Sequence, residues 1–549
     1  MNDASVAESL WYKDAVLYQI FVRAFCDSNG DGIGDLRGVT SKLDYIHALG
    51  VNTIWLMPIM PSPLRDHGYD VSDHFNVHPD YGTLKDFREL VDAAHARHLR
   101  VVVELIPNHT SDQHPWFQAS RDPQHPEHAQ YRDWYVWSDT DQKYKEARII
   151  FIDYEKSNWT FDQTRGQYYW HRFFYHQPDL NYDNPAVQKA MLRVAQFWVD
   201  QGADGIRVDA PPYLYEREGT NCENLPESHA YYKRMRAFLD AYAPGTMLLA
   251  EANQWAKDTL PYFGNGDEFH MNFHFPLMPR IFLALAQENR EPLDWVLAQT
   301  PPLPDNCQWA TFLRNHDELT LEMVTPDERK FLWDFYAPDP RMRLNLGIRR
   351  RLAPLLQNKR AKIQVAHSLL LTLIGSPVLY YGDEIGMGDN IQLDDRWGCR
   401  TPMQWSDARN AGFSDAPADK IYLPVIDDAV YGYQHINVAQ AERTPDSFLH
   451  WLRRALKIRA QHPAFGRGEL QLLPSGNPAI FAYTRAAQNE TLLVVNNLAE
   501  KSQTYTLDRN TFDAQTLRDL WTDETIAVPA LWQLELPGNG YRWFEILRT

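Results

Sequence analysis

Cysteine is nearly missing from this chain. Four residues in 549, Cys26, Cys222, Cys307 and Cys399, are scattered with no CxxC pair among them. That argues against a disulfide frame and predicts free thiols in a reducing compartment. Long apolar runs are missing too. The most apolar stretch, "VAHSLLLTLIGSPVLYYG", is broken by Gly-Ser-Pro and reads as helix, turn and strand rather than a membrane span. The N-terminal "MNDASVAESLWYKDAV" has neither the basic start nor the apolar centre of a secretory leader, so a cytoplasmic location is expected. Positive charge is short: 54 Lys and Arg against 72 Asp and Glu, a net charge of −18. Such a surface repels phosphates and makes nucleic acid an unsuitable partner. No strand-like run leads into a GxGxxG turn, and there is no internal repeat or low-complexity linker.

Aromatic rings, by contrast, are plentiful. They make up 13% of the chain, with 18 Trp. Flat rings pack against the apolar faces of sugars, although many of these serve an ordinary core. The overall balance, 44% hydrophobic and 23% charged, is that of a soluble globular protein. Its length predicts a large barrel with a smaller companion domain.

Residues 27–35, "DSNGDGIGD", alternate acidic or amide side chains with small residues, as the first nine positions of an EF-hand loop do. The twelfth position is Gly38 instead of a bidentate Glu, and the preceding "AVLYQIFVRAF" reads as a strand. A calcium sensor is therefore excluded. The bland alternative is an Asp/Gly turn that holds no ion.

Eight short apolar runs alternate with 3.6-period segments: 16–25, 51–60, 99–109, 205–210, 246–253, 268–275, 309–318 and 376–386. That alternation predicts an α/β fold, a closed (β/α)8 TIM barrel. Several runs end in polar residues: Asn108 and His109, Asp209, Glu251, His316 and Asp317. In such a barrel these ends converge on one mouth. Single acids there are explained by helix capping; acids and histidines at four strand ends are not. The aromatic stretch 110–181 is too long for a βα connection and reads as an excursion domain between barrel parts 1–109 and 182–466. A second insertion is expected at 319–360, and a C-terminal antiparallel β-sandwich over 467–549.

Two carboxylates around one pocket are what retaining glycoside chemistry requires, one attacking the anomeric carbon and one protonating the leaving oxygen. Asp209 lies two residues after Arg207 on one strand, so both point to the same face and the guanidinium is expected to keep Asp209 ionised. Glu251 sits in the apolar "LLAEA", where desolvation would keep it protonated. Asp317 is a third carboxylate, available to stabilise a cationic sugar.

"GIRVDA", "LLAEAN" and "FLRNHDE", in that order on successive strands, resemble the α-amylase superfamily, glycoside hydrolase family 13. The resemblance implies Asp209 as nucleophile, Glu251 as acid/base and Asp317 as transition-state stabiliser. It further implies Arg207, His109 and His316 as sugar binders, with Asp66 and the stacking Tyr69 from "RDHGYD" and Arg400 from "GCRTPMQW". One position departs from the pattern: "ELIPNH" carries Glu104 where the family usually has Asp. The loops 211–229, 175–185 and 340–356 resemble the branch of that superfamily that interconverts maltose and trehalose. This implies those two sugars as small-molecule partners, with a retaining α-glucosidase as the same-fold alternative and a silent sugar-binding relative as the non-enzyme one. The presence of all three carboxylates weighs against the last. By the same resemblance the 27–35 loop is a structural calcium site with Asp27, Asn29, Asp31, Ile33 and Asp35 as ligands. A second calcium is expected at Asn108, Asp179 and Glu216 with the carbonyls of Tyr213 and Leu214. No organic cofactor is expected, and the sequence leaves open whether copies form a homo-oligomer.

Overall fold

The computed structural model describes residues 10–487, 490–508 and 516–547. Residues 1–9 of the segment read for a leader lie outside them. Strands β1 (Leu17–Ile20), β2 (Thr53–Leu56), β3 (Arg100–Leu105), β4 (Gly205–Val208), β5 (Met247–Ala250), β6 (Met271–Phe273), β7 (Gln308–Phe312) and β8 (Ser376–Tyr380) close into one barrel in sequential order. Every neighbouring pair is parallel. Each of the eight predicted runs supplies one strand, so the barrel is the fold the sequence predicts. The strands are shorter than the runs, and where a run ends in polar residues those lie beyond the strand at the mouth. β4 stops at Val208, and Asp209 is the first residue beyond it.

Two local features explain how the mouth is shaped. Ala210, directly after Asp209, is held at φ 50°. A left-handed non-glycine residue costs roughly 1–2 kcal/mol, and here it bends the chain at once into the turn Pro211–Tyr213. Across the β3–β4 pair, Glu104 stands directly opposite Arg207, which fixes their side chains on one face.

The helices that wrap the barrel start on local signals. Leu84–His95 begins with a capping box between Thr83 and Asp86. Pro185–Asp200 begins with Asn184 capping and Pro185 in the first turn. After β3 the chain builds an antiparallel three-stranded sheet from Trp137–Ser138, Gln167–Trp170 and Trp159–Asp162. After β7 it forms a small sheet from Leu319–Thr320, Gly347–Ile348 and Arg343–Leu344 around the helix Pro326–Tyr336. Among its described residues the C-terminal region is antiparallel, with six strands in one sheet and two in another. Its own apolar cluster includes Leu493, Val495, Leu517, Leu536 and Phe544. It docks on the barrel helix Arg360–Thr372, where the Trp543 indole donates to Ser368 Oγ (2.8 Å) and Arg485 donates to the Thr372 carbonyl (2.8 Å).

The four cysteines are free and buried. Among the described residues no helix is long and apolar enough to cross a membrane.

Candidate active site

The strand ends deliver their polar residues to a cavity of about 140 Å³ at the mouth. Asp209, Glu251 and Asp317 all line it, together with Asp66, Tyr69, His109 and His316. The three acids come from β4, β5 and β7, yet they share one chamber. Phe173 and the pair Ile150 and Phe151 from the 110–181 excursion form its roof, with Glu318, Thr320 and Glu322 from the insertion after β7.

Arg207 is the centre of the charge arrangement. It is buried at 1% exposure. Its Nη1 donates to Asp209 Oδ1 (2.7 Å) and to Glu104 Oε2 (2.8 Å), and its Nη2 meets Glu251 Oε1 (2.7 Å). The guanidinium thus divides one positive charge among three carboxyl groups. Arg207 favours the ionised form of Asp209, as the sequence reading expects, but it is not the largest influence on that carboxyl. Burial outweighs the shared guanidinium and lifts Asp209 above the usual carboxylate range, while Glu251 lies close enough to donate a hydrogen bond to it. Glu251 is lifted well above its ordinary value, by burial first and then by the charges of Asp209, Asp317 and Glu104, which Arg207 only partly offsets. Its expected protonated state follows. The Asp209–Glu251 pair therefore shares one proton, which Glu251 holds.

Asp317 goes the other way. Burial opposes its ionisation, yet the surrounding cations hold it well below the usual range. Arg396 Nη1 (2.8 Å) and Arg400 Nη2 (3.1 Å) both donate to its Oδ1. His316 adds a contact at 3.2 Å, but burial and the nearby guanidiniums keep that imidazole neutral. The arginines therefore account for the charge on Asp317. His316 is oriented by Gln19 (2.6 Å) and by the Tyr69 hydroxyl (2.7 Å), and Tyr69 stacks on it at 5.5 Å. Burial pushes His109 down to about 3, and its Nε2 has no protein partner.

Arg207 and Arg400 belong one layer back from where the resemblance puts them. Neither lines the cavity. Both guanidiniums are engaged with carboxylates, and Arg400 also donates through Nε to the His316 carbonyl (2.9 Å). The arginine on the wall is Arg396, which sequence reasoning missed. It spans Asp66 Oδ1 (2.8 Å) and Asp317, closing that end of the chamber. Burial lifts Asp66 to about 7 despite this contact. "DDRWGCR" contains both arginines, and nothing in the motif says which one reaches. Two roof residues were also missed. Arg148 reaches from the excursion to Glu322 of the insertion (2.8 Å), to Glu223 (2.9 Å) and to the Tyr213 hydroxyl (3.3 Å). The Asn345 amide donates to Asp153 (2.7 Å).

The two expected calcium sites differ in what they leave unsatisfied. In the 27–35 loop the oxygens are used internally. Asp27 accepts from the amides of Asn29, Gly30 and Gly32, and Asp31 accepts from Ile33. Asn29 accepts from Asp31, and Asp35 accepts from Ser28 and Gly38. That is the economy of an Asp/Gly turn. At the second site, Asn108 Oδ1, Asp179 Oδ2 and Glu216 Oε1 are all buried without a protein partner. Burial lifts both acids well above their ordinary range, and Asp179 further raises Glu216. The turn that carries Tyr213 and Leu214 leads directly to Glu216. A hard, oxygen-seeking cation fits that donor set, although no three His, Cys, Asp or Glu side chains converge on a metal site among the described residues.

Comparison with known proteins gives a consistent result. Residues 19–334 and 345–468 match the alpha amylase catalytic domain, and 470–543 match the maltogenic amylase C-terminal domain. The chain is 55% identical to the trehalose synthase/amylase TreS of Mycolicibacterium smegmatis, over 98% of this chain and 92% of that one. It is 52% identical to a trehalose synthase of Pimelobacter, over 99% and 98%. Among solved structures it is similar to an alpha-amylase from H. orenii (TM-score 0.77, 30% identity, 97% of this chain and all of that one). It is also similar to the trehalulose synthase MutB in complex with Tris (TM-score 0.77, 28% identity, 98% of this chain and all of that one).

Proposed function

The chain belongs to the alpha-amylase family, and from that premise we propose that it interconverts maltose and trehalose by retaining transfer of a glucosyl group within one chamber at the barrel mouth. It is an enzyme of that family's glucosyl-transferring and hydrolysing kind.

The chemistry begins with Asp209 ionised and Glu251 protonated. Asp209 attacks C1 of the non-reducing glucose of maltose as Glu251 gives its proton to the glycosidic oxygen. This breaks the α-1,4 bond and forms a β-glucosyl ester with Asp209. Asp317, kept anionic by Arg396 and Arg400, stabilises the cationic ring in both transition states. The freed glucose turns within the chamber and presents its anomeric hydroxyl. Glu251, now a base, takes that proton, and the α,α-1,1 bond forms with retention. Two carboxyl groups held on one guanidinium, and close enough for Glu251 to donate to Asp209, suit the close spacing of a retaining pair.

The observation that carries the isomerase reading is the roof: the excursion and the insertion both line the cavity, and Arg148 ties one to the other at Glu322. An enclosed, oriented glucose competes with water through an effective molarity on the order of 10⁵ M. The test is incubation with maltose and assay of both products. Trehalose should accumulate well ahead of glucose; glucose alone would return the protein to the α-glucosidase reading.

Calcium is proposed at Asn108, Asp179 and Glu216, where the unpaired oxygens support it, as a fastening between the excursion and the barrel that takes no part in the reaction. The 27–35 loop has weaker support, being satisfied without an ion. Chelation should therefore lower the melting temperature, more at pH 8 than at pH 5. The sign follows from the raised acids. Without an ion they contribute stability only while protonated, and that contribution fades as the pH rises above the ordinary carboxylate range towards their folded values. An unchanged melt at pH 8 with excess chelator would remove the ion from the site.

A further inference from the structure

The acid with the most to do is Glu104, the residue that departs from the family pattern. We propose that Glu104 is a positioning residue that governs how much of the Arg207 charge reaches Asp209 and Glu251, and so sets the pH range of catalysis.

The geometry is specific. Glu104 is 1% exposed and does not line the cavity. Its Oε2 accepts from Arg207 Nη1 (2.8 Å). Its Oε1 accepts from the Trp55 indole (2.9 Å) and from the Tyr69 hydroxyl (3.2 Å). One carboxylate thus touches β2, the 61–72 segment and β4 at once. Aspartate, one methylene shorter on the same strand, falls about 1.5 Å short of serving all three. Among the described residues the Arg207 Nη atoms meet three carboxyl groups, Glu104, Asp209 and Glu251, while its Nε is unpaired and the Trp55 and Tyr69 rings lie 5.5 and 5.7 Å from the guanidinium.

The groups facing Glu104 define the electrostatic consequence. They are Arg207 and, beyond it, Asp209 on β4, Glu251 on β5, and Tyr69, which links to His316 and Asp317. An ionised Glu104 takes up part of the guanidinium charge and adds a negative neighbour to Glu251, so Glu251 keeps its proton to higher pH. A neutral group at 104 leaves the whole charge to the catalytic pair, and both of them then lose protons at lower pH. Burial lifts Glu104 itself to about 7, with Arg207 opposing and Asp209 reinforcing. As Glu104 ionises it adds its negative charge beside Glu251, which extends the proton-holding range of that acid towards higher pH.

This inference rests on Glu251 being the acid of the proposed reaction, and the experiment separates the two. The pH profile of kcat/KM is measured on maltose and on α-glucosyl fluoride, whose leaving group needs no proton. In the unaltered enzyme the alkaline limb should appear on maltose and vanish on the fluoride. The same limb on both would sink the acid assignment, and this inference with it. With that limb established, Glu104→Gln should move it to lower pH by about one unit, the scale of one buried like charge. Glu104→Asp keeps the charge and should lower kcat while leaving the limb in place. A residue that merely supports the fold would lower activity in both without moving either limb. Should Glu104→Gln fail to fold, Trp55→Phe removes one donor to the carboxylate and should move the limb in the same direction by less. A limb that stays put in the folded variant overturns the proposal.

Discussion

Replacing Asp209 with Ala should end trehalose formation and glucose release together. On the scale set by removing an activated nucleophile, the expected loss is on the order of 10⁴–10⁶-fold in kcat. Both products pass through the same glucosyl ester, so no variant at 209 should trade one for the other. The fold should survive. The residue 209 amide still donates to the Leu105 carbonyl, and one of the acids crowded on Arg207 is gone. Burial and mutual repulsion raise Asp209 and Glu251 in the native state, which means the site is held at a cost to stability. The melting temperature of Asp209→Ala should therefore equal or exceed that of the unaltered protein. Azide, small enough for the vacated space, should restore bond cleavage and give β-glucosyl azide, because a nucleophile arriving from the Asp209 side inverts C1. Turnover near the original level without azide would remove Asp209 from the role.

What could be read from the sequence follows the range of the forces involved. The barrel was legible because strand and helix periods are local. Each strand lies within a mainly apolar run, and in several the polar tail marks where the barrel opens. Asp209, Glu251 and Asp317 were legible for the same reason, since topology alone brings strand ends together. Their charge states were only partly legible. Glu251 is protonated, as its apolar setting predicts, but Asp209 could not be judged from Arg207 two residues away. The partners that divide that guanidinium, Glu104 and Glu251, lie on other strands. Arg396 shows the limit most plainly. It and Arg400 are four residues apart in one short turn, and only the packed structure shows that Arg396 faces the chamber while Arg400 braces Asp317 and His316 from behind. The roof was legible as two long insertions, but not as contacts, because Arg148 and Glu322 are 174 positions apart.

Arg148→Ala should lower the ratio of trehalose to glucose by roughly 10–100-fold while maltose is still cleaved at nearly the original rate. The scale is that of losing about 1.4–2.8 kcal/mol of preference for the held glucose over water. The separation of effects follows from position. Arg148 touches none of the three acids; it bridges Glu322 and Glu223 and meets the Tyr213 hydroxyl. Formation of the glucosyl ester needs only the floor of the chamber. Its fate depends on how long the roof excludes water while glucose turns, because product partition is set by lid opening against transfer. Glu322→Gln should act in the same direction. The double variant should be less than additive, since both changes break one contact. Arg148→Lys should recover only part of the ratio, because an ammonium cannot hold two carboxylates at the angles a guanidinium fork allows. Glu223 would not be stranded by these changes, as Arg172 also holds it (2.6 Å), so any loss reports the roof rather than a collapsed loop. An unchanged product ratio in Arg148→Ala would move the seal to the second tie, Asn345 on Asp153, and the same assay on Asp153→Ala would then show the release of glucose that Arg148→Ala did not.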